Sequence, residues 1–118
     1  MTEKQVQNTI LREFGTRPDM RLWRANTGAA VVGDISRIMA ACRRAGVPVR
    51  LVRFGVPGAA DLSGILLGGQ RFEIEVKSAS GRQTPDQKAY QAMIERMGGL
   101  YVLAYSVQDV AGGLETGQ

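Results

Sequence analysis

Apolar residues recur along this chain with two periods, and the switches between them lay out its elements. Val6, Ile10, Leu11 and Phe14 fall at helical spacing. Thr2 can cap a helix from about Glu3 to Phe14, and Gly15 ends it. Residues 20–26, MRLWRAN, alternate as a strand does and run into the turn-prone Asn26-Thr27-Gly28. Asp34 can cap a helix through ISRIMAACRR, closed by Gly46, while GAAVVGD before it reads equally as loop or strand. VRLVRF (49–54) and ADLSGILL (60–67) read as strands joined through a GVPG turn, and Gly68-Gly69-Gln70 turns tightly into a further strand, RFEIEVKS.

Thr84-Pro85-Asp86-Gln87 opens a helix with four separate signals: a capping hydroxyl, Pro at the first helical position, an acid in the first turn and a Gln closing the capping box. That helix runs to Gly98-Gly99 with Ala89, Met93, Ile94 and Met97 inward. LYVLAYS forms another buried strand, and Ser106 caps a short terminal helix. The order is α, β, an undecided segment, three strands, α, β, α. It predicts an α/β (α+β) fold, a mixed central sheet flanked by helices, and 118 residues fit one domain spanning 1–118.

The strand Phe72-Glu73-Ile74-Glu75-Val76-Lys77 puts Phe72, Ile74 and Val76 on one side and Glu73, Glu75 and Lys77 on the other. An edge strand with a wet, charged outer face would look like this. The preceding strand, however, carries one acid, Asp61, near its start. In a hairpin turning at 68–70, Asp61 lies opposite the far end of the next strand, near Glu75 and Lys77. Two carboxylates that close repel unless a cation sits between them. A hard divalent ion, Mg²⁺ or Mn²⁺, suits oxygen ligands completed by backbone carbonyl and water. Lys77 then stands where it can position a water or balance charge developing on a phosphate. Glu73 shares that side but lies a full pleat further from Asp61, a peripheral position.

Composition narrows the chemistry. The chain has no histidine and one cysteine, Cys42, which excludes His-based catalysis, an intrachain disulfide and a Cys-based zinc site. The net charge is +4, and Arg17, Arg21, Arg24, Arg37, Arg43, Arg44, Arg50 and Arg53 all lie in the first half. That clustering suits a phosphate backbone or, equally, a solvated surface. No apolar run reaches the ~18–20 residues of a membrane helix, and the polar start has no secretory core, so a cytoplasmic location is expected.

Asp61 followed fourteen positions on by Glu75-Val76-Lys77 resembles the active-site signature of the PD-(D/E)XK nuclease superfamily. EKQVQNTIL, LWRANTGA, VRFGVPGAADLSGIL, FEIEVKSASGRQTPDQ and GGLYVLAYSVQDV, taken in order, resemble the VRR-NUC family, in particular its small stand-alone members in phages and bacteria. The likeness runs from residue 3 to about 110. It implies a restriction-endonuclease-like fold and a metal-dependent endodeoxyribonuclease with Mg²⁺ or Mn²⁺. It also implies structure-selective cutting like that of Holliday-junction resolvases, a homodimer, and residence in a bacterial or phage-infected cell.

Carried over, the pattern makes Asp61 and Glu75 metal ligands with the Val76 carbonyl, and Lys77 the catalytic lysine. It places a glutamate from the first helix at the site, Glu3, with Glu13 as rival, and a glutamine, Gln87, at the start of the helix after the charged strand. The acid departs from the superfamily's name by following Gly58-Ala59-Ala60, with Pro57 four residues upstream. Arg24, Asn26, Arg53 and Lys88 are candidate DNA contacts, and Trp23 fits the core. The alternatives are a catalytically inactive nucleic-acid-binding protein of the same fold, and an assembly protein whose charged strand is only an edge.

Overall fold

Three helices open on side-chain caps that the sequence announces. In the computed structural model, which describes residues 1–25, 28–29, 34–50 and 53–117, Thr2 and Gln5 form a capping box at the start of α1 (Glu3–Phe14). Thr84 and Gln87 repeat it at α3 (Pro85–Arg96), and Asp34 Oδ1 accepts the Arg37 N–H at the start of α2 (Ile35–Arg44). The strands are β1 (Met20–Arg24), β2 (Gly28–Ala29), β3 (Arg53–Phe54), β4 (Leu62–Leu66), β5 (Arg71–Val76) and β6 (Leu100–Ala104), followed by α4 (Val107–Thr116). At the start of α4, Asp109 Oδ2 accepts the N–H groups of Tyr105 (2.8 Å) and Ser106 (3.2 Å).

The chain falls into two compact units, residues 26–56 and the remainder. In the smaller unit, β2 pairs antiparallel with β3, and α2 lies between them in sequence. Of the strand expected over 49–54, Arg53–Phe54 is strand and positions 49–50 are not, while 51–52 lie outside the described residues.

The larger unit holds a four-stranded sheet in the order β1-β4-β5-β6. β1–β4 and β4–β5 are antiparallel and β5–β6 is parallel, α3 making the crossover. The β4–β5 turn places Gly68 and Gly69 at φ +99° and +98°, a conformation only glycine adopts cheaply. On one face, Val6, Ile10 and Phe14 of α1 and Val107, Val110 and Leu114 of α4 pack on Leu22, Leu62, Phe72, Ile74 and Val76. On the other, Tyr90 and Ile94 of α3 pack with Ala60 and Tyr101. The mixed sheet flanked by helices is the expected architecture.

The inward side of α3 is set by Tyr90 and Ile94, with Met93 half-buried; Ala89 and Met97, expected inward, are exposed, Met97 by 73%. Met97 caps the helix beyond the sheet's cover. Trp23 is not core: on the edge strand β1 it points away from the α1/α4 side and is 41% exposed. Among the described residues, no helix is long and apolar enough to cross a membrane.

Candidate metal centre

Burial of charge marks the site. β5 is an interior strand, paired on both sides, and α3 covers its charged face. The wet-edge reading therefore fails: Glu73 is fully buried and Glu75 is 4% exposed. Charged groups are almost never so buried without a partner or a task.

The two glutamates meet different surroundings. Glu73 Oε2 accepts the Ser63 hydroxyl at 2.7 Å, while Oε1 accepts Arg71 Nε at 2.8 Å and the Tyr90 hydroxyl at 2.9 Å. Its charge is answered by Arg71, whose guanidinium it holds in the charged form, and both carboxylate oxygens are satisfied. Glu73 is a structural clasp between β4, β5 and α3. Burial first, then the neighbouring carboxylate, hold the Tyr90 phenol protonated, its pKa pushed up to about 12.

Glu75 has far less. Its Oε1 accepts Gln87 Nε2 at 3.3 Å, and its Oε2 is buried with no hydrogen-bond partner among the described residues. Continuing the β4–β5 register by one pair sets Asp61 directly across from it. Asp61 Oδ2 accepts the Val76 N–H at 2.9 Å, and the Asp61 carbonyl accepts the Ala25 N–H at 3.0 Å, so its backbone and side chain are both fixed. Burial, then the charge of Asp61 close by, raise Glu75 from 4.5 to about 8; the Lys77 ammonium on the same face pulls the other way.

In an extended strand the N–H and C=O of one residue point to the same side. With its N–H on Asp61, Val76 therefore turns its carbonyl toward Asp61 as well. The available donor set is two carboxylates and one carbonyl, the hard oxygen ligands that Mg²⁺ or Mn²⁺ takes. The unpartnered Glu75 oxygen between like charges is the feature such a cation would satisfy. Among the described residues, no three His, Cys, Asp or Glu side chains converge, so the remaining ligands would be water.

The other candidates distribute as follows. Lys77 extends β5 through its N–H to Ala104 O (2.9 Å), and its stem lies against Gly81. Gln87 makes two contacts: its Oε1 accepts the Thr84 N–H at 2.9 Å to close the capping box, and its Nε2 donates to Glu75 Oε1 at 3.3 Å. Glu3 comes to the end of β5, where its Oε1 accepts the Ser78 N–H at 2.8 Å; Glu13 is exposed near the other end of α1. Arg24 is held by α1, donating to Gln7 Oε1 at 2.6 Å and to Asn8 Oδ1, and Lys88 is exposed in the first turn of α3. Asn26, Thr27 and the side chain of Arg53 lie outside the described residues.

Sequence reasoning passed over Tyr90, Ser63, Arg71 and Tyr101. Tyr90 stands three residues after Gln87, hence on the same helix face, and Ser63 two residues after Asp61 on the same strand face. Those spacings were the available signal. Tyr101 pairs with Glu73 across β5–β6, and burial raises its phenol pKa to about 12. No family model, curated protein or solved structure matches the chain.

Proposed function

We propose that this protein is a metal-dependent endodeoxyribonuclease that hydrolyses phosphodiester bonds of structured DNA as a homodimer, with Mg²⁺ or Mn²⁺ held by Asp61, Glu75 and the Val76 carbonyl. One observation carries the reading: a carboxylate oxygen of Glu75, buried on an interior strand and facing Asp61, has no hydrogen-bond partner among the described residues. A cation would convert that repulsive, unsatisfied arrangement into a favourable one. The ordered likeness to VRR-NUC sequences supports the same assignment.

When bound, the ion supplies Lewis-acid polarisation of the scissile phosphate and acidifies an adjacent water. The chain's own residues do the rest. Asp61 is anchored by the Val76 N–H, and Gln87 engages one oxygen of Glu75, leaving the other for the cation. Lys77, on the face of Glu75, orients the attacking water or balances charge growing on the phosphate oxygens. Glu3 orders the turn after Lys77 through Ser78. As the likeness implies, in-line attack of water on phosphorus breaks the P–O3′ bond, leaving a 5′-phosphate on one product and a 3′-hydroxyl on the other.

The test is cleavage of supercoiled plasmid and of labelled four-way junction, flap and linear duplex, each with Mg²⁺, Mn²⁺ or EDTA, beside gel filtration. Metal-dependent cutting should disappear in Lys77→Ala while that variant melts like the parent. Cutting that persists in EDTA, or in Lys77→Ala, removes the reading. A chain that binds DNA and cuts none of these would be the inactive alternative.

A further inference from the structure

Side chains on one sheet face line up in rows across the strands. On the face that α3 covers, one row is Asp61, Glu75 and Leu103, the next is Trp23, Ser63, Glu73 and Tyr101, and the third is Arg21, Ile65 and Arg71. α3 closes over the β5–β6 end of these rows through Tyr90 and Ile94 and, among the described residues, leaves side chains at the β1–β4 end exposed. There Trp23 is 41% exposed, Ile65 is 44% exposed, Arg21 is exposed, and the Arg71 side chain is 51% exposed. Arg71 reaches across β4 until its guanidinium carbon lies 5.8 Å from the centroid of the Trp23 ring. Trp23 and Ile65, exposed on adjoining rows of one sheet face beside arginines and next to the carboxylate row, form an apolar patch with a charged rim.

We infer that this shelf binds an unpaired nucleotide of a nucleic-acid strand that leads out of the carboxylate pair, with the base stacked on the face of Trp23 that Arg71 does not cover and a phosphate on Arg21. The inference rests on the nuclease reading for what occupies the neighbouring row. Rows on one face are about 7 Å apart, two residues along a strand, a span that a single nucleotide covers. An indole offers a stacking face that any base can use. Paired bases inside a duplex have both faces covered, so the platform selects a strand that is locally single. Arg21 supplies charge complementary to phosphate, while the charge of Arg71 is matched by Glu73. The acid in the Trp23 row, Glu73, is buried and already bonded to Arg71, Ser63 and Tyr90, so it does not oppose an anion. A second copy of this chain docking by the same face about a two-fold axis would bring like-charged guanidinium groups together, which disfavours that occupant.

Trp23 is the chain's single tryptophan, so its emission reports on the shelf alone. The full chain is titrated in EDTA at about 50 mM salt, where phosphate contacts are strong, with an oligothymidylate and with a blunt DNA hairpin of equal charge. The oligothymidylate should quench the emission and the hairpin should not. By anisotropy of a labelled oligothymidylate, Trp23→Ala should bind about tenfold more weakly and Trp23→Phe should keep most of the affinity. Arg21→Glu should weaken binding by at least about tenfold through charge reversal. Both positions are exposed, and matched melting temperatures would exclude misfolding.

Equal quenching by the hairpin, unchanged emission at oligothymidylate saturation, or quenching that tracks self-association in sedimentation would each overturn the shelf. Quenching in a chain that cuts no substrate would keep the shelf and remove the nuclease. Metal-dependent cutting with Trp23 unmoved by bound strand would do the reverse.

Discussion

Asp61 stands across the β4–β5 hairpin from Glu75, and its Oδ2 accepts the N–H of the very next residue, Val76, at 2.9 Å. That bond prevents the two carboxylates from swinging apart. The local stability cost of their proximity is therefore built in, and removing or neutralising either acid should reveal it.

The pH dependence of the metal-free protein follows from Glu75, whose pKa rises from 4.5 to about 8 on folding. Between those values the folded chain holds a proton at this site that the unfolded chain has released. Stability therefore falls as pH rises through that window, and Glu75 adds no further slope above it. Melting temperatures in EDTA at intervals from pH 5 to pH 8.5 should decline in the parent and decline less in Glu75→Gln. Saturating Mn²⁺ should flatten the parent's decline, since a bound cation keeps Glu75 ionised. Identical slopes for parent and variant in EDTA would show that neither burial nor Asp61 raises Glu75.

Two glutamates on one strand should respond oppositely to the same change. Glu73→Gln weakens a fully bonded buried carboxylate that faces Arg71, Ser63 and Tyr90, and should cost about 1–3 kcal/mol in urea denaturation. Above about pH 8 in EDTA, where Glu75 is ionised, Glu75→Gln removes a charge that repels Asp61, and should leave stability unchanged or raise the melting temperature by a few degrees. It should also abolish any Mn²⁺-induced shift. Losses of equal size in both variants would mean that the buried pair is not strained.

Gly58 links the acid-bearing segment to α3. It sits at φ +77°, and a β-carbon there would run into the Asp86 carbonyl and the Gln87 N–H. Gly58→Ala must therefore push away the first turn of α3, which carries Gln87 toward Glu75. A loss of at least about 1 kcal/mol is expected from the left-handed conformation alone. Cleavage should fall by more than melting predicts, measured as rate at a temperature where the variant is fully folded.

Tyr90→Phe deletes one of the three donors to Glu73 and the fastening of α3 one turn past Gln87. Because Ser63 and Arg71 remain, the expected cost is about 1 kcal/mol, read from the urea midpoint. A neutral outcome would mean that the phenol bond contributes nothing beyond what water provides.

Much of this protein was legible along the chain. Thr2 with Gln5 and Thr84 with Gln87 announce their helices because capping is a contact three residues long. Gly68-Gly69 announces the hairpin, and once the turn is placed, the register that sets Asp61 against Glu75 follows by counting. Alternation at 72–77 separates the apolar face from the charged one because a strand's period is geometric. What covers each face is decided elsewhere. The same alternation describes a wet edge and a buried interior strand, and only the docking of β6 and α3, drawn from residues 85–104, makes it the second. For the same reason Trp23 and Met97, apolar enough for any core, end at the surface, while Glu73 and Glu75 end inside. Periodicity assigns a residue to a side of its element; burial depends on a partner distant in sequence, and only the tertiary structure supplies it.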